Sequence, residues 1–438
     1  MVMNARTNGS DNGTQWKRGK GWGILLALII LVNTASAVQA QIRIQVPEPG
    51  GEGLPIAISP LAGEQEQRFG EQFAEIVARD LDLSGLFRVL DRGAYIEGPA
   101  GLSSEEINFQ NWSVLGALAL IKGRFSFEGD NLIVEARLFD VAERRQLGGK
   151  RYRGDRKDIR RMAHRFADQI MLFLTGELGP FDSRIAFVSR RSGGRAKEIY
   201  TTDLSGSDLV QITKNRTLNL GPGWHPQATM LAYASYKSGG PYPYLYDLNS
   251  GQDRRLYTSV GYGGRWSPDG SMIAVSVEQG GNSDLVVLSP EGRLIRRLTD
   301  NPDIDVSPSW SPDGREIAFC SGRGGSPQIY VMNVASGSAR RLTFRGDYNT
   351  SPSWSPKGDR IAYTSRAGGF RVMTIDADGG DPQEVTAGED PSWSPDGRYL
   401  ALSHRGRLFI ASKDGRSVKQ LTGSRGDDTS PAWSARLE

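Results

Sequence analysis

Cysteine, histidine and long apolar runs are scarce in this sequence of 438 residues. With one cysteine, Cys320, the chain cannot form an internal disulfide. The three histidines, His164, His225 and His404, lie far apart, without the spacing of a metal site or a readable catalytic triad. The G-x-S-x-G motif of serine hydrolases is absent as well. These absences give little support to an enzyme, a metalloprotein or a disulfide-stabilised domain.

The strongest apolar run lies near the N-terminus, at Ile24–Val32. Its nine residues are too few to span a bilayer. A basic stretch precedes the run, and Val38-Gln39-Ala40 provides the small residues of a cleavage site. This pattern predicts a signal peptide over residues 1–40, cleaved near Ala40, and export from the cytoplasm. A single membrane anchor is the alternative interpretation.

The charge of the chain is balanced once residues 1–40 are set aside. They hold four of the 53 basic residues and one of the 50 acidic residues, so the remainder has equal numbers of both. The basic isoelectric point therefore gives little support to nucleic-acid binding or to association with an anionic membrane. About 400 residues remain, enough for two domains with separate cores.

Six tryptophans recur at intervals of 39 to 44 residues in the second half of the chain. Three of them begin the motif W-S-P-D-G, which is typical of a tight turn, and an apolar strand such as Ile317-Ala318-Phe319 follows. A period of about 40–45 residues built from strands is typical of β-propeller blades. We therefore predict an all-β six-bladed propeller over residues 179–438. The tryptophans are Trp224, Trp266, Trp310, Trp354, Trp393 and Trp433.

The tryptophans and the apolar strands of the repeat are out of phase. The first apolar strand, Ile185-Ala186-Phe187, has no tryptophan before it, and Trp433 has no strand after it. We therefore predict that Thr429–Ser434 completes the first blade beside Arg184–Arg190. Such pairing closes the ring and leaves no free sheet edge.

Residues 54–178 do not repeat, and they mix helical with strand patterns. Apolar residues at helical spacing predict helices over Gln67–Leu81 and Asp158–Leu174. Together with the strand patterns, these helices predict a small α/β (α+β) domain. A strand-like segment, Gln41–Val46, and a tether to residue 53 precede it; the segment can dock on its own domain or on a partner's sheet. The predicted strands are Pro55–Ser59, Leu86–Leu90, Leu118–Phe127, Leu132–Val141 and Gln146–Arg153.

No segment of the chain gives a clear metal or cofactor site. Asp80–Gly85 resembles the start of a calcium loop, but no bidentate glutamate closes it. Ser84-Gly85 is instead typical of a helix C-terminal turn. Cys320 falls in an apolar strand, so we expect a buried, inert thiol. We expect no metal and no cofactor.

The repeat resembles the TolB-type propeller repeat. A predicted signal peptide, a non-repeating domain and six such repeats together resemble the TolB family, the periplasmic components of the Tol-Pal system. This resemblance implies a periplasmic, monomeric, non-enzymatic adaptor that links the outer-membrane lipoprotein Pal to TolA of the inner-membrane complex. It implies support of outer-membrane integrity and of constriction during division. Other outer-membrane proteins are further candidate partners, while nucleic acid and direct membrane insertion are not expected.

The resemblance also implies two partner-binding regions. The N-terminal segment would bind the C-terminal domain of TolA, and Pal would dock at the mouth of the propeller channel. The candidates for TolA are Gln41, Ile42, Arg43, Ile44, Gln45 and Val46.

The segments that join one blade to the next, four to six residues before each tryptophan, predict which residues line that mouth. The first three connections are largely apolar and the last two are acidic, so we predict an apolar arc for anchoring and an acidic arc for steering. The candidates for Pal are Leu218, Leu220, Val260, Tyr262, Ile304, Asp305, Val306, Tyr348, Asn349, Glu389, Asp390, Asp427 and Asp428.

Two other functions stay open at this point. One is a hydrolase or peptidase-like propeller enzyme, which needs a triad or a metal at the channel. The other is a propeller that binds cell-wall glycan, in which Tyr236, Tyr242 and Tyr244 would stack on sugar rings.

Overall fold

The computed structural model describes residues 51–63, 66–366 and 368–437. The predicted signal peptide and the predicted strand Gln41–Val46 lie outside the described residues. Within the described part of the chain, no helix is both long enough and apolar enough to cross a membrane.

The first domain is one five-stranded mixed sheet with helices on both faces, as the α/β prediction expects. Its strands are β1 Leu54–Ile58, β2 Phe87–Val89, β3 Ala119–Glu128, β4 Asn131–Asp140 and β5 Arg145–Asp155. Its helices are α1 Arg68–Ser84, α2 Phe109–Val114 and α3 Ile159–Thr175, with single 3₁₀ turns at Arg92–Ala94 and Arg156–Asp158. The sheet order is β2-β1-β3-β4-β5; β1 pairs in parallel with β2 and β3, and the other pairs are antiparallel.

Both long helices bury an apolar stripe, and these stripes form one core with the sheet. Phe73 and Val77 of α1 and Phe166 and Ile170 of α3 are fully buried there. Helix α1 continues to Ser84, past its predicted end, and stops at Gly85, whose positive φ of 68° is the expected C-terminal turn.

Helix α2 was not predicted from the sequence. It packs on the other face of the sheet, where Trp112 is buried with Leu120 and Phe139. Its six residues are fewer than two turns, so they carry no readable helical period.

Six four-stranded antiparallel sheets form the blades of the propeller. Their strands, in chain order, are β6 Arg184–Ser189, β7 Glu198–Asp203, β8 Val210–Gln211, β9 Asn219–Trp224, β10 Met230–Ser235, β11 Tyr242–Asp247, β12 Asp253–Arg255, β13 Gly261–Trp266, β14 Ile273–Gln279, β15 Asn282–Leu288, β16 Leu294–Arg297, β17 Asp305–Trp310, β18 Glu316–Ser321, β19 Gln328–Asn333, β20 Ala339–Arg341, β21 Asn349–Trp354, β22 Arg360–Arg366, β23 Phe370–Asp376, β24 Gln383–Ala387, β25 Glu389–Trp393, β26 Tyr399–His404, β27 Arg407–Ser412, β28 Val418–Gln420 and β29 Thr429–Trp433. Blade 1 contains β6 to β8 and β29, and blades 2 to 6 each contain four consecutive strands.

The last strand closes the ring, as predicted from the phase of the repeat. Strand β29 pairs antiparallel with β6, with Trp433 opposite Ile185. The indole Nε1 of Trp433 also donates a hydrogen bond to Ser183 Oγ at 2.8 Å. The C-terminal segment and the first strand of the propeller therefore hold blade 1 together without a covalent link.

The repeating tryptophans pack between neighbouring blades. Trp266 of blade 3 shares a buried cluster with Ala232 and Leu245 of blade 2. Trp310 of blade 4 lies in the next cluster, and its Nε1 donates to the carbonyl oxygen of Arg265 in blade 3 at 2.9 Å. The sequence period is therefore the distance along the chain between successive contacts of this kind.

A buried charge cluster joins the first domain to blade 1. His164 of α3 lies between two carboxylates: its Nδ1 is 2.7 Å from Asp80 of α1, and its Nε2 is 3.2 Å from Asp203 of β7. Burial alone would lower the pKa of His164, but the two carboxylates raise it to about 10. Burial raises the pKa of Asp80. Burial also opposes ionisation of Asp203, yet the hydrogen bond with His164 lowers its pKa.

Candidate functional site

The innermost strand of every blade has a bulge three residues before its tryptophan. The pairing register with the second strand shifts there in all six blades. The residue at this place has a φ between 51° and 64°, a left-handed conformation that is uncommon for residues other than glycine. These six residues are Gly221, Gly263, Ser307, Ser351, Asp390 and Ser430.

The same six residues line a cavity of ≈ 360 Å³ at one end of the channel. The wall is asymmetric because the glycines of blades 2 and 3 offer no side chain, whereas blade 6 presents a carboxylate. Asp390 accepts hydrogen bonds from Ser351 Oγ at 2.9 Å and from Ser430 Oγ at 3.0 Å. One carboxylate therefore connects the inner strands of three blades.

Arg265 lines both this cavity and a second one of ≈ 400 Å³ at the other end of the channel. Its guanidinium donates to the carbonyl oxygens of Gly221 and Pro222 at 3.2 and 3.1 Å. Burial lowers the pKa of Arg265, and the charge of Asp390 opposes that shift. The second cavity is lined by the W-S-P segments, which are part of the blade framework.

The apolar candidates for Pal surround the first cavity. Val260, Leu220 and Val306 are half-buried. The exposed ones are Leu218, Tyr262, Ile304 and Tyr348, with 36%, 39%, 58% and 36% of their surface accessible.

Exposed aromatic rings concentrate on this face of the propeller. Within the described ranges the four such side chains are Tyr262, Phe344, Tyr348 and Phe370. Phe344 belongs to the same connection as Tyr348, and the rings of Tyr348 and Phe370 are 6.4 Å apart. Neither Phe344 nor Phe370 lies directly before a tryptophan, so the repeat gives no reason to expect either on this face.

Three of the predicted contact residues are fully buried and bonded within the propeller. Asp305 pairs with Arg323 at 3.0 Å. Asp428 accepts from Ser189 Oγ at 2.7 Å and pairs with Arg191. Asn349 donates to Gln328 Oε1 at 2.8 Å. Asp305 and Asp428 thus bond to hairpins of their own blades, whereas Asn349 of blade 5 bonds to blade 4, and none of the three is available for direct contact with a partner.

The other three acids form a cluster beside the cavity. Burial raises the pKa of Glu389, and the charges of Asp390 and Asp427 raise it further. Asp427 is exposed, with Arg190 at 3.6 Å and Lys197 at 3.9 Å. The apolar residues of blades 2 to 5 and the acids of blades 6 and 1 therefore lie around one mouth.

His225, His404 and Cys320 make packing contacts or are partly buried within the blades. His225 packs edge-on against Trp266, and its Nδ1 accepts the backbone N–H of Gln227 at 3.2 Å. Burial and the nearby arginines lower the pKa of His404. Burial raises the pKa of the Cys320 thiol to about 11.

The candidate glycan-stacking tyrosines do not form an open platform. Tyr244 is buried, and the guanidinium of Arg255 lies 3.5 Å from the ring centre of Tyr242. Tyr236 is half-buried. Across residues 51–63, 66–366 and 368–437, no group of three or more His, Cys, Asp or Glu side chains is arranged to hold a metal ion.

Comparisons with known proteins agree with this architecture. Residues 172–437 match the TolB beta propeller domain, and residues 42–147 match the TolB amino-terminal domain. The chain is 41% identical over 208 residues to the Tol-Pal system protein TolB of Syntrophotalea carbinolica, covering 46% of this chain and 47% of that protein. It is 39% identical over 292 residues to the protein of the same name from Anaeromyxobacter dehalogenans, covering 65% and 66%. The chain thus spans about half to two thirds of the length of these curated relatives.

A solved structure extends the similarity to most of the chain. The crystal structure of TolB from Acinetobacter baumannii is similar with a TM-score of 0.78 and 29% sequence identity. The match covers 90% of this chain and 98% of that one.

Proposed function

The chain belongs to the TolB family, and we propose that it is a non-enzymatic periplasmic adaptor of the Tol-Pal system. In this proposal the channel mouth binds Pal, and the segment Gln41–Val46 binds the C-terminal domain of TolA. The adaptor thereby connects the outer membrane to the inner-membrane complex and supports outer-membrane integrity and constriction during division. The relatives named as Tol-Pal system proteins support the assignment to this system.

The distribution of exposed aromatic rings is the observation that carries the proposal. All four such rings of the described residues lie on the face of the propeller that contains the channel mouth, and Tyr262 lines the cavity itself. Aromatic side chains are enriched at protein interfaces and among the residues that dominate binding energy. Exposed apolar surface of this kind usually marks a site of protein–protein interaction, so we expect a partner to cover this face in a complex.

The shape of the mouth favours a protein partner over a small molecule. A cavity of ≈ 360 Å³ is at the lower end of the range for ligand pockets, and exposed apolar side chains lie around it. We infer that the partner packs mainly on these side chains, at Tyr262 and Ile304, and that only a few atoms enter the channel.

Titration calorimetry with the Pal protein of the same organism tests this function. Tyr262→Ala and Ile304→Asp should each weaken binding by about 30-fold or more, because a residue at the centre of an interface typically contributes at least ~2 kcal/mol. Leu294→Asp is the matched control for Ile304→Asp, since Leu294 is similarly exposed (53% against 58%) but lies on the outer strand of blade 3.

Two results would contradict the proposal in different ways. If the wild-type chain does not bind Pal, the adaptor function is wrong. If it binds and both mouth variants bind as well as Leu294→Asp does, Pal docks elsewhere on the chain. The variants should melt at the wild-type temperature, because Tyr262 and Ile304 are exposed.

A further inference from the structure

The outer rim of the mouth, outside the apolar and acidic residues described above, is rich in basic side chains. It consists of the hairpins between the second and third strands of each blade, which are hydrogen-bonded to the blade connections; for example, Arg366 N donates to Tyr348 O at 3.0 Å. Together with one flanking residue on each side, these hairpins hold one acid, Glu198, which is buried. The exposed acid nearest to these hairpins is Asp427 of a blade connection, 3.6 Å from Arg190. The basic residues of the rim are Arg190, Arg191, Arg195, Lys197, Lys237, Arg323, Arg366, Arg405 and Arg407.

Most of these charges are paired within the protein. Arg191 pairs with Asp428, Arg323 with Asp305, and Lys237 with Asp253. Arg190 and Lys197 both approach Asp427. Arg407 is half-buried against Gln420.

Three arginines of the rim differ from the others. Arg195, Arg366 and Arg405 are exposed, and no carboxylate of the described residues lies within 4.0 Å of them. They belong to blades 1, 5 and 6, which are consecutive around the ring. We call these three residues the basic arc.

Arg405 occupies a backbone position that does not favour arginine. It forms a two-residue hairpin turn with Gly406, with φ values of 49° and 71°. The corresponding turn of blade 3 is Gly280-Gly281, with φ values of 64° and 86°. Such turns favour asparagine, aspartate or glycine at the first place. A local preference that is broken without compensation inside the fold often marks a functional residue.

We propose that the basic arc binds carboxylate side chains at the periphery of the partner's contact surface. This inference rests on the proposed function of the mouth. The guanidinium group binds carboxylates in a bidentate manner, and a charge at an interface rim acts mainly on the rate of association. Phe370 follows Arg366 across the same hairpin and pairs with it in the strand register, so an apolar contact lies beside the charge. The partner is therefore a protein with acidic residues around an apolar centre.

Association kinetics with purified Pal test the arc. The double variant R366E/R405E should slow association by about 10-fold or more at low salt, within the range of electrostatic steering. The effect should nearly vanish at 1 M salt, where the screening length falls to about 3 Å. R293E/R315E is the matched control: it makes the same charge change at two exposed arginines in turns at the opposite end of the blades. The control should change the rate less than about two-fold.

The variant Arg405→Asn separates binding from folding. It creates an Asn-Gly turn, which suits the observed φ values, so the melting temperature should rise. It also removes one charge of the arc, so association with Pal should slow at low salt. If Arg405 had only a structural role, Arg405→Asn would raise the melting temperature without slowing association with Pal.

The outcomes distinguish this inference from the proposed function. Equal rates for R366E/R405E and R293E/R315E, with wild-type binding intact, overturn the arc and leave the adaptor function standing. If the wild-type chain does not bind Pal, both the adaptor function and the role of the basic arc are wrong. Binding to phosphatidylglycerol vesicles tests a membrane as the alternative ligand. If the wild-type chain binds these vesicles, and R366E/R405E loses that binding while its association with Pal is unchanged, the basic arc binds a membrane and the inference is wrong.

Discussion

The closure of the ring by Trp433 can be tested against an equivalent tryptophan inside the ring. Trp433→Ala and Trp310→Ala each remove a buried indole, since both side chains are only 7% exposed. Each indole also loses one hydrogen bond, to Ser183 Oγ at 2.8 Å and to the Arg265 carbonyl at 2.9 Å. The local cost of each substitution should therefore be similar, about 3–5 kcal/mol. At roughly 2–4 °C per kcal/mol, both melting temperatures should fall by ~6–20 °C.

The two variants should differ in which strands become exposed. Strand β29 pairs with β6, which lies at the other end of the propeller sequence, and this pairing holds blade 1 closed. Strand β17 of Trp310, in contrast, pairs with β18, which follows it directly after a tight turn. Trp433→Ala should thus open the ring locally, whereas Trp310→Ala should weaken the contact between blades 3 and 4 and leave blade 1 closed.

Amide hydrogen exchange measures this difference strand by strand. In Trp433→Ala the amides of Arg184–Ser189 should exchange at least about 10-fold faster than in Trp310→Ala, which corresponds to ~1.4 kcal/mol of local opening. Deletion of residues 428–438 should produce a larger effect in the same strand. Equal protection of that strand in both tryptophan variants, or a deletion that melts like the wild type, would refute the closure argument.

Two further predictions concern the part of the chain before the propeller. His164→Gln should cost about 3–5 kcal/mol in denaturant unfolding, because it leaves the Asp80 carboxylate buried without its paired charge, while Asp203 keeps Arg160 at 2.6 Å. Since the folded pKa of His164 is about 10, above the usual 6.5, wild-type stability should fall as the pH rises from 6.5 to 10 and the variant's curve should be flatter; parallel curves would contradict the assignment. Deletion of residues 41–46 should abolish pull-down of TolA and leave Pal binding intact; retained TolA binding would refute the role of this segment.

The propeller could be predicted from the sequence because its packing repeats along the chain. Every blade needs a large side chain against its neighbour, so Trp266 and Trp310 recur at the blade period. The closure of the ring by the C-terminal strand could be predicted because the tryptophans and the apolar strands of the repeat are out of phase. Helix α2 could not be found, since a helix of six residues leaves no periodic trace.

The charge cluster and the buried acids depend on contacts between distant residues. His164 meets Asp80 and Asp203 across 84 and 39 positions of sequence, so no spacing rule connects them. Asp305 looked like a surface acid in a connection, but Arg323, eighteen residues later, folds over it. The prediction that all candidates lie in connections was wrong, because the inner strands begin earlier than expected. The candidates that lie in these strands are Leu220, Tyr262, Asp305, Val306, Asn349, Glu389 and Asp390.

The bulges of the inner strands allow the two ends of the channel to change independently. Below the bulge of blade 4, Trp310 lies opposite Ile317 and takes part in the contact between blades. Above it, the register has shifted by one residue, and Val306 lies opposite Cys320. A substitution in the upper half therefore alters the mouth without displacing the tryptophan, and six such half-strands can be exchanged one at a time. Substitutions in the six inner-strand segments above the bulges can therefore alter partner specificity while the contacts between blades, and with them the fold, are kept.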